Sequence, residues 1–232
     1  MATTPILGEL VEAVAGDRAD VSVLMSRTDD PRTFVASADA EPLASADIIV
    51  AVDPATYEVG LAPALDARTS AGEGRDASAA AGAGAGPQLV IATEVLDARR
   101  VDGTPDPHVW LDPDRFTTLA REVARVLAAA SGTDPGTWSE AAEAYGAHLA
   151  LADEQVQATL APLTPDQHHL LQPDDRLGYF ADRYGLELEP LPPNVDADVL
   201  VIDVDRLGPA GSDTGTVAGL LTSIAGRIAA GR

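Results

Sequence analysis

The sequence predicts an α/β fold whose parts are linked by one long helix, and three observations carry that prediction. Short apolar runs alternate with segments of helical periodicity from Leu7 to Ala92, the alternation that builds sheets with helices on their faces. Between Pro135 and Ala161, the residues Trp138, Ala142, Tyr145, Leu149, Ala152, Val156 and Leu160 recur at steps of three or four. Helical throughout, that segment would be a rod about 40 Å long at 1.5 Å per residue, enough to join two lobes. Finally, 232 residues of which 46% are apolar suffice for a packed core in one large domain or in two small lobes.

Leu7, Leu10, Val11 and Val14 share one helix face, and Gly16 closes it as a C-cap glycine. Val21 to Met25 alternates as a short strand and runs into the turn-rich Asp29 to Phe34. A loop at the carboxyl end of a strand is where open α/β sheets bind ligands. Ser37 to Ala46 is expected to be a short helical segment that Pro42 disturbs in its middle, and Ala46 to Val52 a buried strand. Residues 70 to 87 hold an Ala/Gly run without apolar periodicity and are expected to form a flexible loop. Leu89 to Ala92 is the next strand. Phe116, Leu119, Val123 and Val126 then mark a helix ending at Ser131-Gly132, and Asp112-Pro113 and Asp134-Pro135 each supply an N-cap and a first-turn proline. His169 to Gln172 and Val199 to Val204 are short strands, and Val217 to Ala230 is a closing helix.

Several function classes are excluded by composition. With 37 acidic against 15 basic residues the formal charge is −22, and nucleic-acid binding is set aside because phosphate contacts need clustered Lys or Arg. The surplus leaves a diffuse attraction for cations. The absence of cysteine removes disulfides, thiolate metal sites and Cys nucleophiles. No apolar run reaches the roughly 18 to 20 residues that span a bilayer, and Met1-Ala2-Thr3-Thr4 leads into a helix instead of a signal peptide.

Histidine is scarce, four in all. His168 and His169 open a strand and are expected to make surface hydrogen bonds, and His148 lies beside the apolar stripe of the long helix. His108 stands apart, in Asp106-Pro107-His108-Val109-Trp110-Leu111-Asp112-Pro113. Pro107 holds the residue before it extended, and Asp112-Pro113 starts a helix, so the imidazole rides on a stiff strap. This octapeptide resembles the signature of the cluster A-I substrate-binding proteins, receptors that hand zinc or manganese to bacterial ABC importers. The likeness continues through the Asp-Pro that opens the long helix, through Leu177-Gly178-Tyr179-Phe180-Ala181 with Tyr184-Gly185-Leu186, and through Asp205-Arg206-Leu207-Gly208.

The resemblance implies two lobes, each a mostly parallel sheet flanked by helices, joined by one long rigid helix: an N-terminal lobe over 1–133, the helix over 134–162 and a shortened C-terminal lobe over 163–232. The family's first strand, before Thr3-Thr4-Pro5, is expected to be missing. Of the family's four metal-ligand positions, His108 and the acidic Asp205 match outright. Asp174 stands where the third ligand, a histidine, is expected. Arg32, in Asp30-Pro31-Arg32-Thr33-Phe34, stands at the first. A guanidinium offers donors only and cannot coordinate an ion. His108, Asp174 and Asp205 would make a set of one nitrogen and two carboxylates, which zinc accepts and manganese tolerates. Alternatively Arg32 pairs with both aspartates as an internal cation, and zinc or manganese then binds weakly or not at all.

The implied function is that of the receptor subunit of a metal-type ABC importer, a monomer working with a permease at the cell surface or in the periplasm, its export and lipid-anchor segments lying outside this chain. Two alternatives stand beside it. One is a receptor-like scaffold that keeps the fold without an ion. The other is a metal-dependent hydrolase built on His108 and the aspartates, against which stands the lack of Gly-x-Ser-x-Gly, His-Glu-x-x-His or a phosphate loop.

Overall fold

The computed structural model describes residues 1–37, 39–73, 86–132, 134–191 and 203–231. The chain divides into two compact units, Met1–Pro107 and His108–Arg232.

In the first unit the strand expected to be missing has a counterpart in Met1 to Thr3. Ala2 is bridged in parallel to Val23 on one side and to Val50 on the other. Its N–H donates to the Ser22 carbonyl at 2.9 Å, and Leu24 N–H donates back to the Ala2 carbonyl at 2.9 Å. Three residues are too few to show a period, yet Ala2 and Thr3 are fully buried, so tertiary pairing alone gives this segment its bridges on both sides. Helix α1 (Pro5–Ala15) follows, capped by the Thr4 side chain and closed by Gly16 at φ 52°. Helix α2 (Glu41–Ser45) starts with Pro42 in its first turn. The proline does not disturb a helix middle, because its missing N–H falls among donors that have no helical partner anyway.

Strands β1 (Ile48–Ala51) and β2 (Gln88–Ile91) pair in parallel, Ile49 opposite Leu89 and Ala51 opposite Ile91. Met1, Met25, Leu43, Ile49, Leu61 and Leu65 pack together against this layer. Helix α3 (Ala62–Glu73) carries residues 70–73, which the sequence reading assigned to a loop. The remainder of that loop, 74–85, lies outside the described residues. After the short helix α4 (Ala92–Val95), strands β3 (Arg100–Val101) and β4 (Thr104–Pro105) form an antiparallel hairpin. Its turn residues Asp102 and Gly103 both have positive φ, the geometry that hairpin twist favours and Asp-Gly adopts readily.

In the second unit, Asp112 caps helix α5 (Pro113–Ser131), accepting from Asp114 N–H at 3.0 Å. Gly132 ends it at φ 64°. Helix α6 (Pro135–Leu160) is continuous through Gly146. At that glycine a Cβ would come within 2.5 Å of Thr117 Cγ2, so α5 and α6 meet there more closely than side chains allow. Phe116 and Tyr145 pack edge to face across the same seam, centroids 6.2 Å apart. Both helices belong to this second unit, and each buries a long apolar face.

Strands β5 (His169–Gln172) and β6 (Glu187–Pro190) pair in parallel around helix α7 (Gly178–Tyr184). Helix α8 (Val217–Ala229) is capped by Thr216 and packs against α6. Of the strand expected over Val199 to Val204, residues 199–202 lie outside the described residues, and Asp203 and Val204 are not in a strand. No helix among the described residues is long and apolar enough to cross a membrane.

Candidate functional site

The strap around His108 is built from the inside. Val109, Trp110 and Leu111 form one 3-10 turn, all fully buried. Trp110 Nε1 donates to the Val204 carbonyl at 2.9 Å. That bond fixes the backbone of the next residue, Asp205, beside the residue two places before Trp110. His108 Nε2 accordingly lies 3.1 Å from Asp205 Oδ1, with His108 4% and Asp205 7% exposed. The His108 ring also stands edge-on to Trp110, centroids 5.4 Å apart. An indole read from the sequence only as part of a motif is thus the clamp that positions two polar side chains in a dry setting.

The other oxygen of Asp205 faces an arginine. Arg176 Nη1 donates to Asp205 Oδ2 at 3.0 Å, and Arg176 Nε lies 2.8 Å from Asp174 Oδ2. Asp174 Oδ1 accepts further from the Arg176 backbone N–H at 3.2 Å. The three ligand candidates His108, Asp174 and Asp205 are therefore brought into one chain of contacts, with a guanidinium between the two carboxylates. Sequence reasoning did not single out Arg176 for this role. The available signal was a cation two residues after Asp174.

Arg32 belongs to the first unit. Its guanidinium carbon lies 4.7 Å from the centroid of the Tyr57 ring, a cation–π contact, and its backbone N–H donates to Asp30 Oδ1 at 2.9 Å. The remaining histidines make surface contacts. His168 Nδ1 is 2.9 Å from the Thr164 carbonyl and His169 Nδ1 is 2.9 Å from Glu189 Oε1, while His148 is exposed on α6.

A divalent ion needs several oxygen or nitrogen donors converging on one point. Among the described residues no group of three or more His, Asp or Glu is so arranged. His108 and Asp205 converge, but the second oxygen of Asp205 and both oxygens of Asp174 are engaged by Arg176. As they stand, these residues do not fit a tightly held dication, although their chemistry would.

Comparison with known proteins gives this site its context. A family model described as zinc-uptake complex component A, periplasmic, matches residues 1–207. The iron ABC transporter substrate-binding lipoprotein MtsA of Streptococcus pyogenes serotype M1 is 22% identical over 189 residues, covering 80% of this chain and 59% of that protein. The manganese-binding lipoprotein MntA of Bacillus subtilis is 25% identical over 211 residues, covering 89% and 64%. The chain thus spans roughly three-fifths of the length of these curated relatives. Among solved structures, the periplasmic zinc-binding protein TroA of Treponema pallidum superposes with a TM-score of 0.76 at 19% identity, covering 99% of this chain and 96% of that one. A Mn-bound periplasmic metal-binding protein of Candidatus Liberibacter asiaticus gives 0.76 at 15% identity, covering 99% and 97%. These likenesses show the fold, the expected two-lobed α/β architecture.

Proposed function

We propose that this chain, which belongs to the family of the zinc-uptake complex component A, is the solute-binding subunit of an ABC importer for a divalent metal ion. It captures the ion at the outer side of the membrane, in the periplasm or at the cell surface, and hands it as a monomer to a permease. Capture and delivery need no chemical step, in keeping with a family of receptors. One observation carries the reading: His108 and Asp205, the two family ligand positions kept outright, lie 3.1 Å apart in the second unit, held there by the Trp110 bond to Val204. A nitrogen and a carboxylate buried side by side are half of a site that zinc or manganese accepts. Asp174 is the further oxygen donor of the same unit. Arg32 replaces a nitrogen donor with a fixed positive charge at the family's first position, which weakens capture. The charge of −22 raises the local concentration of cations around the receptor.

The test is uptake. Deleting the chain from its host should lower the accumulation of zinc, manganese or ferrous ion, and restoring it should recover the loss. Unchanged uptake of all three would defeat the reading.

A further inference from the structure

We propose that Arg176 sets the metal affinity of this site: its guanidinium is an internal cation held on the two carboxylates, and an incoming ion must displace it. The inference rests on the receptor reading above and adds the residue that controls it.

Four observations converge on Arg176. Two different nitrogens of one guanidinium reach the two aspartates, Nη1 to Asp205 at 3.0 Å and Nε to Asp174 at 2.8 Å, so one fork bridges both carboxylates. His108 occupies the other oxygen of Asp205, which leaves neither oxygen of that carboxylate unengaged. Two aspartates alone would carry a charge of −2, and with Arg176 among them the sum is −1, so a dication meets a weaker field and a like charge. Lastly, the plug cannot be titrated away, because arginine keeps its proton throughout the physiological range.

Release must therefore be mechanical, and the surroundings suit it. The Arg176 side chain is 41% exposed and that of Asp174 38%, against 7% for Asp205. The arm on Asp205 can let go while the arm on Asp174 stays, because Asp174 also holds the Arg176 backbone N–H. Neighbouring Leu177 is buried at 3% and anchors the turn, so motion is confined to the side chain. Asp174 then acts first as the keeper of the displaced arginine. Ion capture at His108 and Asp205 carries the added cost of breaking a charge-assisted hydrogen bond to a buried carboxylate.

The experiment compares the parent with Arg176→Ala and Arg176→Gln by calorimetric titration with zinc chloride and with manganese chloride, and by melting curves with and without each ion. Arg125→Ala, which changes net charge equally from the exposed face of α5, is the control. Both Arg176 variants should bind at least one ion about tenfold or more tightly than the parent, a change of about 1.4 kcal/mol. Their midpoints should also become ion-dependent, since an ion held only by the folded form stabilises it. Should Arg176→Ala fail to fold, Arg176→Gln carries the same comparison. Equal affinity in parent and variants, an equal rise in Arg125→Ala, or no binding in any of them would overturn the proposal. Host uptake is measured separately, so the receptor reading can stand while this one falls.

Discussion

Each unit buries a carboxylate, and the two are handled in opposite ways. In the first unit Glu58 is fully buried. Thr3 Oγ1 donates to its Oε1, and the backbone N–H groups of Val52 and Asp53 donate to Oε2 at 2.8 and 3.1 Å. These partners are neutral dipoles. Burial outweighs them and pushes the carboxyl up to about 7. In the second unit Asp153 lies on α6 against Arg183, with Nε to Oδ1 at 2.7 Å and Nη2 to Oδ2 at 2.8 Å. Tyr184 and Gln157 donate to it as well. Here the guanidinium wins over burial and holds the carboxyl below its usual range. The lesson is that hydrogen-bond count does not decide the charge of a buried acid. A full opposite charge does, because only Coulomb attraction in a poorly screened setting matches the desolvation of an ion.

The largest expected effect comes from removing that charge. Arg183 also reaches Asp112 at 3.0 Å and Asp114 at 2.8 Å, so it ties α7 to the start of α5 as well as to α6. Arg183→Ala should cost roughly 3 to 5 kcal/mol, the range for breaking a buried pair from one side. Denaturant unfolding reads this, and adding Asp153→Asn should recover part of the loss. If the single variant unfolds like the parent, the contrast between the two carboxylates has no energetic content.

Next is the acid without a cation. The folded value for Glu58 lies above its ordinary 4.5, so the folded state keeps a proton that the unfolded chain releases first. By linkage, this group's contribution to stability is fully present below about pH 4.5 and is lost as pH rises toward about 7. The loss is on the order of 3 kcal/mol, since each tenfold difference in proton affinity between the folded and unfolded chain is worth about 1.4 kcal/mol. Asp153 has the opposite sign, contributing at neutral pH and losing its contribution in acid. Glu58→Gln, whose amide can accept from the two N–H groups and donate to Thr3, should remove the decline between about pH 4.5 and about pH 7. A variant with the same pH slope as the parent would show that Glu58 is ionised in the fold.

The smallest effect is expected where both partners face water. Arg121 and Glu143 join α5 to α6 with two short hydrogen bonds, 2.6 and 2.9 Å, yet their side chains are 53% and 59% exposed. Screening and side-chain entropy offset such pairs. Arg121→Ala should leave the melting midpoint within measurement error, and a shift comparable with that of Arg183→Ala would break the distinction drawn between buried and exposed arginines.

Much of this was legible in the chain itself. The helix caps at Asp112 and Asp134, the C-cap glycines Gly16 and Gly132 and the unbroken α6 follow from local rules whose physics lies within four residues. His108 was legible because two prolines and a tryptophan at fixed spacing mark it. The Asp102-Gly103 turn could have been read by the same rules and was not. Met1 to Thr3 could not be, because three residues carry no period and the bridges of Ala2 exist only through its neighbours on both sides.

The sequence by itself determined the fold class, the family, the capped ends of α1, α5 and α6, and the scarcity of donors that makes His108 and Asp205 stand out. Only the tertiary structure decided that Arg176 meets both aspartates and which buried acid keeps its proton. Arg176 and Asp205 are separated by 29 positions and His108 and Asp205 by 97. No local periodicity connects positions so distant. Their pairing depends on the chain bringing them together out of water, where the energy of a charge is set by its nearest neighbour.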